Sequence, residues 1–244
     1  MNIWAECEGI KFRKYFDLEP WRMVEAQHIS SSRDLVESTA EHDLLEKLLE
    51  NSKPPIANDQ HYLIFTPFRY PPLAYGSRFG NTFEPSLWYG SINIYTALAE
   101  VAFYRLKFFD DTSANLEYIE IPMTAFKAYI QTKKGIDLTE SPFNKYQDKI
   151  SNKTSYDFSQ NLGTEMRAGK IEAFMFTSAR DKKFGKNVAS FTPEVFKMKD
   201  MQYIANMQNW RCIANQNVIE FTRDEVMCRK REAFYKEEFE GLYN

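Results

Sequence analysis

The chain has 244 residues, which suits one large domain or a catalytic domain with a helical extension, and a core of this size needs neither disulfides nor metal. Lysine and arginine number 31 against 34 aspartates and glutamates, giving a formal net charge of −3. This balance argues against a dedicated nucleic-acid binder, because there is no basic excess to neutralise phosphates. The 9 glycines leave little material for phosphate-binding loops, while the 16% aromatic content could serve a core, a stacking pocket or a partner surface.

Several common sites and targeting signals are missing from the sequence. The scattered Cys7, Cys212 and Cys228 suggest reduced thiols in a cytoplasmic protein. The three histidines lack metal-ligand spacing, so no zinc site is expected. There is no G-x-G dinucleotide fingerprint, P-loop or G-x-S-x-G elbow. We expect neither a signal peptide nor a membrane-spanning segment.

The first predicted element is a helix over residues 33–50. Its leucines recur near 3.6-residue spacing, and Ser30, Ser31 and Ser32 offer N-caps. The pair of prolines at 54–55 ends the helix, because proline lacks a donor and restricts the residue before it. The pattern predicts an N-terminal helical region, residues 1–58, followed by the main domain, residues 59–244.

The main domain is predicted to mix strands and helices. Five segments have the β-branched and aromatic composition of strands: 61–66, 87–89, 117–122, 171–177 and 217–222. Prolines and glycines predict a structured loop over 67–81, and helical periodicity predicts a helix over 91–108. Residues 125–165 are predicted to be helices and loops, and 223–239 a closing amphipathic helix. This order predicts an α+β fold with a mostly β core and flanking helices.

Two arginines stand near the turn-rich loop, Arg69 and Arg78. The planar fork of arginine suits bidentate contact with phosphate or carboxylate. The alternative is that each arginine pairs with a surface acid.

Glu100, Tyr89 and Ser178 each admit two interpretations. Glu100 lies about 120° around its predicted helix from the apolar stripe, where a carboxylate is ordinarily solvated, and a functional role requires the arginine loops to pack over it. Tyr89 is either a core residue or a ring that faces a flat ligand. Ser178 follows a predicted strand and is either a cap or turn residue or part of a site.

An ordered set of segments together resembles one known family. The segments are Arg69-Tyr70, Gly76-Ser77-Arg78-Phe79, Leu87-Trp88-Tyr89-Gly90, Thr96-Ala97-Leu98-Ala99-Glu100 and Thr177-Ser178-Ala179-Arg180, with Asn187 downstream. They resemble RES-domain proteins, a family named after an arginine, a glutamate and a serine. Arg78 or Arg69, Glu100 and Ser178 would match these three. The resemblance runs from about residue 60 to about residue 196, and the segment 21–28 also resembles an N-terminal region of one branch of the family.

The resemblance implies an ADP-ribosyltransferase-like fold and a toxin of a bacterial toxin–antitoxin pair that degrades NAD by phosphorolysis or hydrolysis. It implies no tightly bound cofactor: NAD is the substrate, inorganic phosphate is an optional co-substrate, and a DNA-binding antitoxin plugs the site. We expect no direct contact with nucleic acid or membrane, and a homodimer is left open. The alternatives are an ADP-ribosyltransferase acting on a protein and a non-catalytic module that binds a partner.

The family's chemistry gives the matched residues their expected roles. Cleavage of the nicotinamide–ribose bond develops positive charge on the ribose, which the Glu100 carboxylate would stabilise. Arg69 and Arg78 would bind the diphosphate or an incoming phosphate. Tyr70 and Tyr89 would border the nicotinamide ring. Ser178 would hydrogen-bond the ribose or its phosphate.

Overall fold

The structure is a computed structural model that describes residues 2–26, 32–52, 61–114, 116–225, 230–239 and 241. Within them the chain forms six α-helices: α1 (Ile3–Glu6), α2 (Thr39–Ser52), α3 (Tyr62–Arg69), α4 (Ile94–Asp111), α5 (Gln147–Ile150) and α6 (Asp157–Ala168). It also forms ten strands: β1 (Lys14–Leu18), β2 (Trp21–Glu25), β3 (Trp88–Ser91), β4 (Ile119–Ala128), β5 (Ile130–Asp137), β6 (Ala173–Thr177), β7 (Lys186–Ser190), β8 (Ile204–Ala214), β9 (Val218–Arg223) and β10 (Arg231–Tyr235). The predicted α+β class is confirmed.

All ten strands belong to one mixed sheet in the order β1-β5-β6-β7-β3-β2-β4-β8-β9-β10. Neighbouring strands are antiparallel except β5 and β6, which are parallel. The helix α4 packs on this sheet against β2, β3, β7, β9 and β10. A long helix laid across the middle of a sheet holds its inner side chains against several strands at once, and the candidate site lies along this helix.

The N-terminal part of the chain is not a separate helical region. The predicted helix is present as α2, which begins with a capping box: the Ser38 hydroxyl accepts from the Glu41 amide at 3.2 Å, and the Glu41 carboxylate accepts from the Ser38 amide at 3.1 Å. However, β1 and β2 belong to the same sheet as the main domain, and β2 lies between β3 and β4. The helical prediction for 1–58 is therefore wrong for these two strands. The predicted boundary and the caps Ser30 and Ser31 lie outside the described residues.

Three further segments differ from the prediction. The sequence predicts a strand over 61–66, but residues 62–66 belong to α3, in which Ile64, Phe65 and Phe68 share one face packed in the core. A short apolar run is compatible with either state, and here the i, i+1, i+4 spacing decides for a helix. Part of the expected closing helix is the strand β10. Within 125–165, the prediction of helices and loops is wrong for the residues in β4 and β5 and agrees with α5 and α6 farther along the chain.

The loop between α3 and β3 is anchored by close packing. Phe79 is fully buried, and its ring lies 4.6 Å from that of Phe174 and 4.8 Å from that of Phe176. Helix α6 approaches the same loop at Gly163, where a Cβ atom would come within 2.1 Å of the Phe79 carbonyl oxygen. Any larger residue at position 163 would therefore displace the loop that carries Arg78.

Candidate active site

A cavity of about 390 Å³ opens between α4, the strands β2 and β3, and the loop before β3. This volume falls within the range of roughly 300–1,000 Å³ typical of small-molecule sites. Its polar lining includes Arg22, Arg78, Tyr89, Glu100, Tyr104 and Asn187. The cavity therefore brings together three of the six predicted site residues, Arg78, Tyr89 and Glu100.

Glu100 is fixed on one of its two carboxylate oxygens. Oε1 accepts a hydrogen bond from the Ser178 hydroxyl at 2.6 Å and another from the Asn187 side-chain amide at 2.6 Å. Asn187 is itself oriented, because its Oδ1 accepts from the Ser91 hydroxyl at 2.7 Å. No described group donates to Oε2 of Glu100. The carboxylate is thus held in one orientation with an oxygen available to a molecule in the cavity.

The packing of α4 explains why Glu100 is only partly exposed rather than fully solvated. At about 100° per residue, Thr96 and Phe103 lie on the same side of the helix as Glu100. They are 1% and 2% exposed, whereas the neighbouring Val101 is only partly buried. The helix is covered on this side as well, because Thr96 donates to the buried carboxylate of Asp181 at 2.8 Å. A helix covered from two sides lacks the single solvated face that simple amphipathicity assumes.

Ser178 supports Glu100 from behind. Its side chain is 3% exposed, its hydroxyl proton is directed to Glu100, and its oxygen accepts from the amides of Arg180 at 3.1 Å and Asp181 at 3.0 Å. The turn after β6 therefore fixes the hydroxyl, and the hydroxyl fixes the carboxylate. Ser178 does not line the cavity, so its geometry favours a role through Glu100 over the predicted contact with ribose.

Arg78 lies at the tip of a tight turn. Ser77 and Gly80 form an antiparallel bridge with N–O distances of 2.8 and 3.3 Å. The buried ring of Phe79 anchors the turn, while Arg78 lines the cavity and donates to the Asn152 carbonyl at 2.7 Å. The turn therefore presents a guanidinium group at a fixed position on the cavity wall.

Tyr89 lines the cavity and also holds this turn. Its hydroxyl lies 2.9 Å from the Ser77 hydroxyl and accepts from the Phe79 amide at 3.2 Å. Burial raises the pKa of Tyr89 to about 12, so the phenol stays neutral at physiological pH. The predicted position beside a flat ligand remains compatible with this arrangement, and the structure adds the support of the Arg78 turn.

Arg22 is a cavity residue that was not among the predicted site residues. It comes from β2, donates to the Tyr89 carbonyl at 2.7 Å, and lies 5.4 Å from the centre of the Trp88 ring. Its Nε is buried without a hydrogen-bond partner in the described chain. Burial lowers the pKa of Arg22 to about 10. A guanidinium on the wall of a cavity is suited to an anionic ligand.

Arg22 and Arg78 have no carboxylate partner among the described residues, whereas Arg105, which also lines the cavity, pairs with Glu25. No described carboxylate forms an ion pair with Arg22, Arg78 or Arg180, whose hydrogen-bond acceptors are carbonyl groups and the Tyr156 hydroxyl. With Arg105 paired to Glu25, the cavity lining sets Arg22 and Arg78 against the carboxylate of Glu100. This excess of positive charge favours an anionic ligand.

Arg69 and Tyr70 lie outside the cavity, contrary to the prediction. Because residues 62–69 are helical, Arg69 falls in the last turn of α3, where its side chain is buried and its Nη2 lies 2.7 Å from Oε1 of Glu50 on α2. Tyr70 follows the helix and is 39% exposed. Of the two arginines that could match the family's arginine, the structure therefore favours Arg78.

Two absences hold for the described part of the chain. No three His, Cys, Asp or Glu side chains there are grouped as metal ligands would be. In the same residues, no helix combines the length and apolarity needed to cross a membrane. Cys7 and Cys212 are buried free thiols, and Cys228 is not among the described residues.

Comparison with known proteins identifies the family. Residues 55–214, about two thirds of the chain, match the RES domain. The chain belongs to the RES-domain family. The RES match begins after β1 and β2, so Arg22 reaches the cavity from outside the matched region.

A solved structure has a similar fold. In the crystal structure of the M. tuberculosis MbcT–MbcA toxin–antitoxin complex, one chain superposes with a TM-score of 0.50 and 9% identity, over 84% of this chain and 90% of that chain. A search of curated proteins finds no match. At this identity the likeness concerns the fold, which here extends beyond the RES region to most of the chain.

Proposed function

We propose that this RES-domain protein is the toxin of a toxin–antitoxin pair and that it consumes NAD by cleaving the nicotinamide–ribose bond. The observation that carries the proposal is the fixed carboxylate of Glu100 in a cavity lined by Arg22 and Arg78. NAD joins a diphosphate to a ribose whose bond to nicotinamide breaks with development of positive charge. The cavity offers arginine cations for the diphosphate and a carboxylate for the positive charge that develops on the ribose.

The residues divide the chemistry between binding and stabilisation of charge. Arg22 and Arg78 bind diphosphate oxygens, and Tyr89 borders the nicotinamide ring. As the C–N bond breaks, its electron pair leaves with nicotinamide, which departs as a neutral ring. The free Oε2 of Glu100 stabilises the cationic ribose and accepts hydrogen bonds from its hydroxyls. An oxygen of water or phosphate then bonds to the ribose carbon, and water releases its proton to solvent.

The partner proposed for this chain is a cognate antitoxin that neutralises it by covering the cavity. Support comes from the similar fold in the MbcT–MbcA complex, which is a toxin–antitoxin complex. A toxin of this kind acts on cytoplasmic NAD, so we place the protein in the cytoplasm. NAD enters as a substrate, and no tightly bound cofactor is required for the proposed step.

The central prediction concerns Glu100→Gln. This change keeps the size of the side chain and removes its charge, so we expect kcat for nicotinamide release to fall by about 100-fold or more, as for loss of one preorganised electrostatic group. Release of nicotinamide from NAD is measured for the wild type, for this variant and for Glu117→Gln, which changes an exposed glutamate. Equal rates for all three, or no release by the wild type, would contradict the proposal.

The same assay separates the acceptors. Release that depends on added inorganic phosphate identifies phosphorolysis, and release without it identifies hydrolysis. Label transferred from NAD to protein identifies an ADP-ribosyltransferase. Binding of NAD without release in any condition would favour a binding module instead. Expression in cells tests the toxin role, because growth should stop with the wild type and continue with Glu100→Gln.

A further inference from the structure

The short segment between α5 and α6, residues 151–156, is held by two buried arginines from different parts of the chain. Arg78 donates from Nη1 to the Asn152 carbonyl at 2.7 Å, and Arg180 donates from Nη1 to the next carbonyl, that of Lys153, at 2.8 Å. Both arginines are less than 10% exposed. The segment therefore provides neutral acceptors for two guanidinium groups beside the cavity.

Tyr156 ends this segment between the same two arginines. The guanidinium carbon of Arg78 lies 4.6 Å from the centre of the Tyr156 ring, and Nη2 of Arg180 donates to the Tyr156 hydroxyl at 3.3 Å. The hydroxyl also lies 3.3 Å from that of Tyr104, which lines the cavity. The position of the ring is thus fixed from two directions, and the Arg78 guanidinium lies over it.

The segment is also held by its own hydrogen bonds. Oδ1 of Asn152 accepts from the amides of Thr154 at 3.0 Å and Ser155 at 2.8 Å. The Ser151 hydroxyl donates to the Thr177 carbonyl at 2.6 Å, next to Ser178 in the sequence. A turn tied at both ends can keep the Tyr156 ring and the Asn152 carbonyl in place before a ligand arrives.

We propose that Tyr156 is a positioning residue for Arg78 and thereby for the diphosphate of the substrate. This inference rests on the proposed function. A ring and a carbonyl orient a guanidinium without neutralising it, whereas a carboxylate partner would do both. The Tyr156 ring covers one side of the Arg78 guanidinium, and the N–H groups that do not donate to Asn152 remain for phosphate oxygens. Burial raises the pKa of Tyr156, but the charge of Arg78, the hydrogen bond with Tyr104 and the charge of Arg180 together lower it below its ordinary value, which agrees with a phenol placed between two cations.

The test compares Tyr156→Leu, which removes the ring, with Tyr156→Phe, which keeps the stacking and loses only the hydroxyl. Phe158→Leu is the matched control, because it removes an aromatic ring two residues away whose cationic neighbour, Lys149, does not line the cavity. Each protein is assayed for KM and kcat of nicotinamide release. Each is also titrated with inorganic diphosphate by calorimetry.

We expect Tyr156→Leu to raise KM for NAD and to weaken diphosphate binding by about tenfold, the value of one misplaced charge-assisted contact, with a smaller change in kcat. Tyr156→Phe should restore both constants to within about threefold of the wild type, because the stacked ring remains. Phe158→Leu should match the wild type. If Tyr156→Leu fails to fold, Tyr156→Met takes its place, because its flexible unbranched side chain also lacks the ring and adapts to the space left.

The outcomes separate the two proposals. If Tyr156→Leu or its replacement binds diphosphate as tightly as Phe158→Leu does, the role of Tyr156 is overturned, whatever the NAD assay shows. A wild type that binds no diphosphate overturns it as well. If the wild type releases no nicotinamide but its diphosphate affinity still depends on the Tyr156 ring, the NAD proposal fails and the positioning role stands.

Discussion

Arg69 and Arg78 are both buried arginines, but only Arg69 has a carboxylate partner, whereas the described partners of Arg78 are neutral. On α3, Arg69 meets the carboxylate of Glu50, so its charge is compensated within the protein. At the turn before β3, Arg78 contacts a carbonyl group and an aromatic ring beside the cavity. Neither of these groups neutralises its charge. Desolvating a charge is costly, so an uncompensated buried arginine is a better indicator of a binding site than burial or residue type alone.

The largest difference should appear when each arginine is replaced. Arg78→Ala removes a proposed diphosphate contact, so we expect kcat/KM for nicotinamide release to fall by about 100-fold or more, consistent with about 3 kcal/mol for charge-assisted hydrogen bonds. Arg69→Ala should keep the activity of the folded protein within about threefold, since its partner lies outside the cavity. Circular dichroism checks folding, and comparable losses in the two variants would remove the distinction between the sites.

Arg22 extends the comparison to a second uncompensated arginine. We expect Arg22→Gln to raise KM for NAD by about tenfold to thirtyfold, the value of one hydrogen bond between charged groups. Arg22→Lys should recover only part of this affinity, because an ammonium lacks the guanidinium fork. Steady-state kinetics of the three proteins provides the measurement. An unchanged KM in Arg22→Gln would show that the Arg22 guanidinium does not contact the substrate.

The lowered pKa of Arg22 adds a pH dependence with a defined sign. The group is charged below its pKa of about 10 and loses its proton above it. Diphosphate binds the charged form, so affinity is retained toward neutral pH and declines as pH rises through about 10. Calorimetric titration with inorganic diphosphate between neutral pH and this value should show the decline in the wild type. In Arg22→Gln the same titration should be flatter.

The sequence correctly predicted the helices and strands that are marked by a continuous local pattern of apolar or β-branched residues. The helix α4 and the strands β3, β4, β6 and β9 overlap the predicted segments, because each has a sustained apolar or β-branched run. The strands β1 and β2 were missed, since both are five residues long and each includes charged residues. Their structure depends on pairing with strands distant in sequence, which no local window contains.

The site residues also divide into those that the sequence could identify and those whose position depends on the fold. Arg78, Tyr89 and Glu100 lie in segments that resemble the family, so their presence in one cavity could be anticipated from those segments. Arg22 lies in the segment 21–28, which also resembles the family, but its place at the cavity depends on the insertion of β2 between β3 and β4. Arg69 was wrongly expected in the site. The sequence predicted a strand over 61–66, whereas the structure has a helix there, and this helix directs Arg69 to Glu50.

The smallest effect is expected for a change at Glu50, the carboxylate partner of Arg69. Glu50→Gln removes the charge from a side chain that is 58% exposed, so solvent already screens much of the pair, and we expect a loss of about 0.5–1 kcal/mol in the free energy of unfolding. Urea denaturation measures this loss, and added salt should reduce the difference from the wild type because it screens the same attraction. KM for NAD should not change. A shift in KM would mean that the contact between α2 and α3 is coupled to the cavity, and the compensated arginine could then no longer be separated from the site that Arg78 serves.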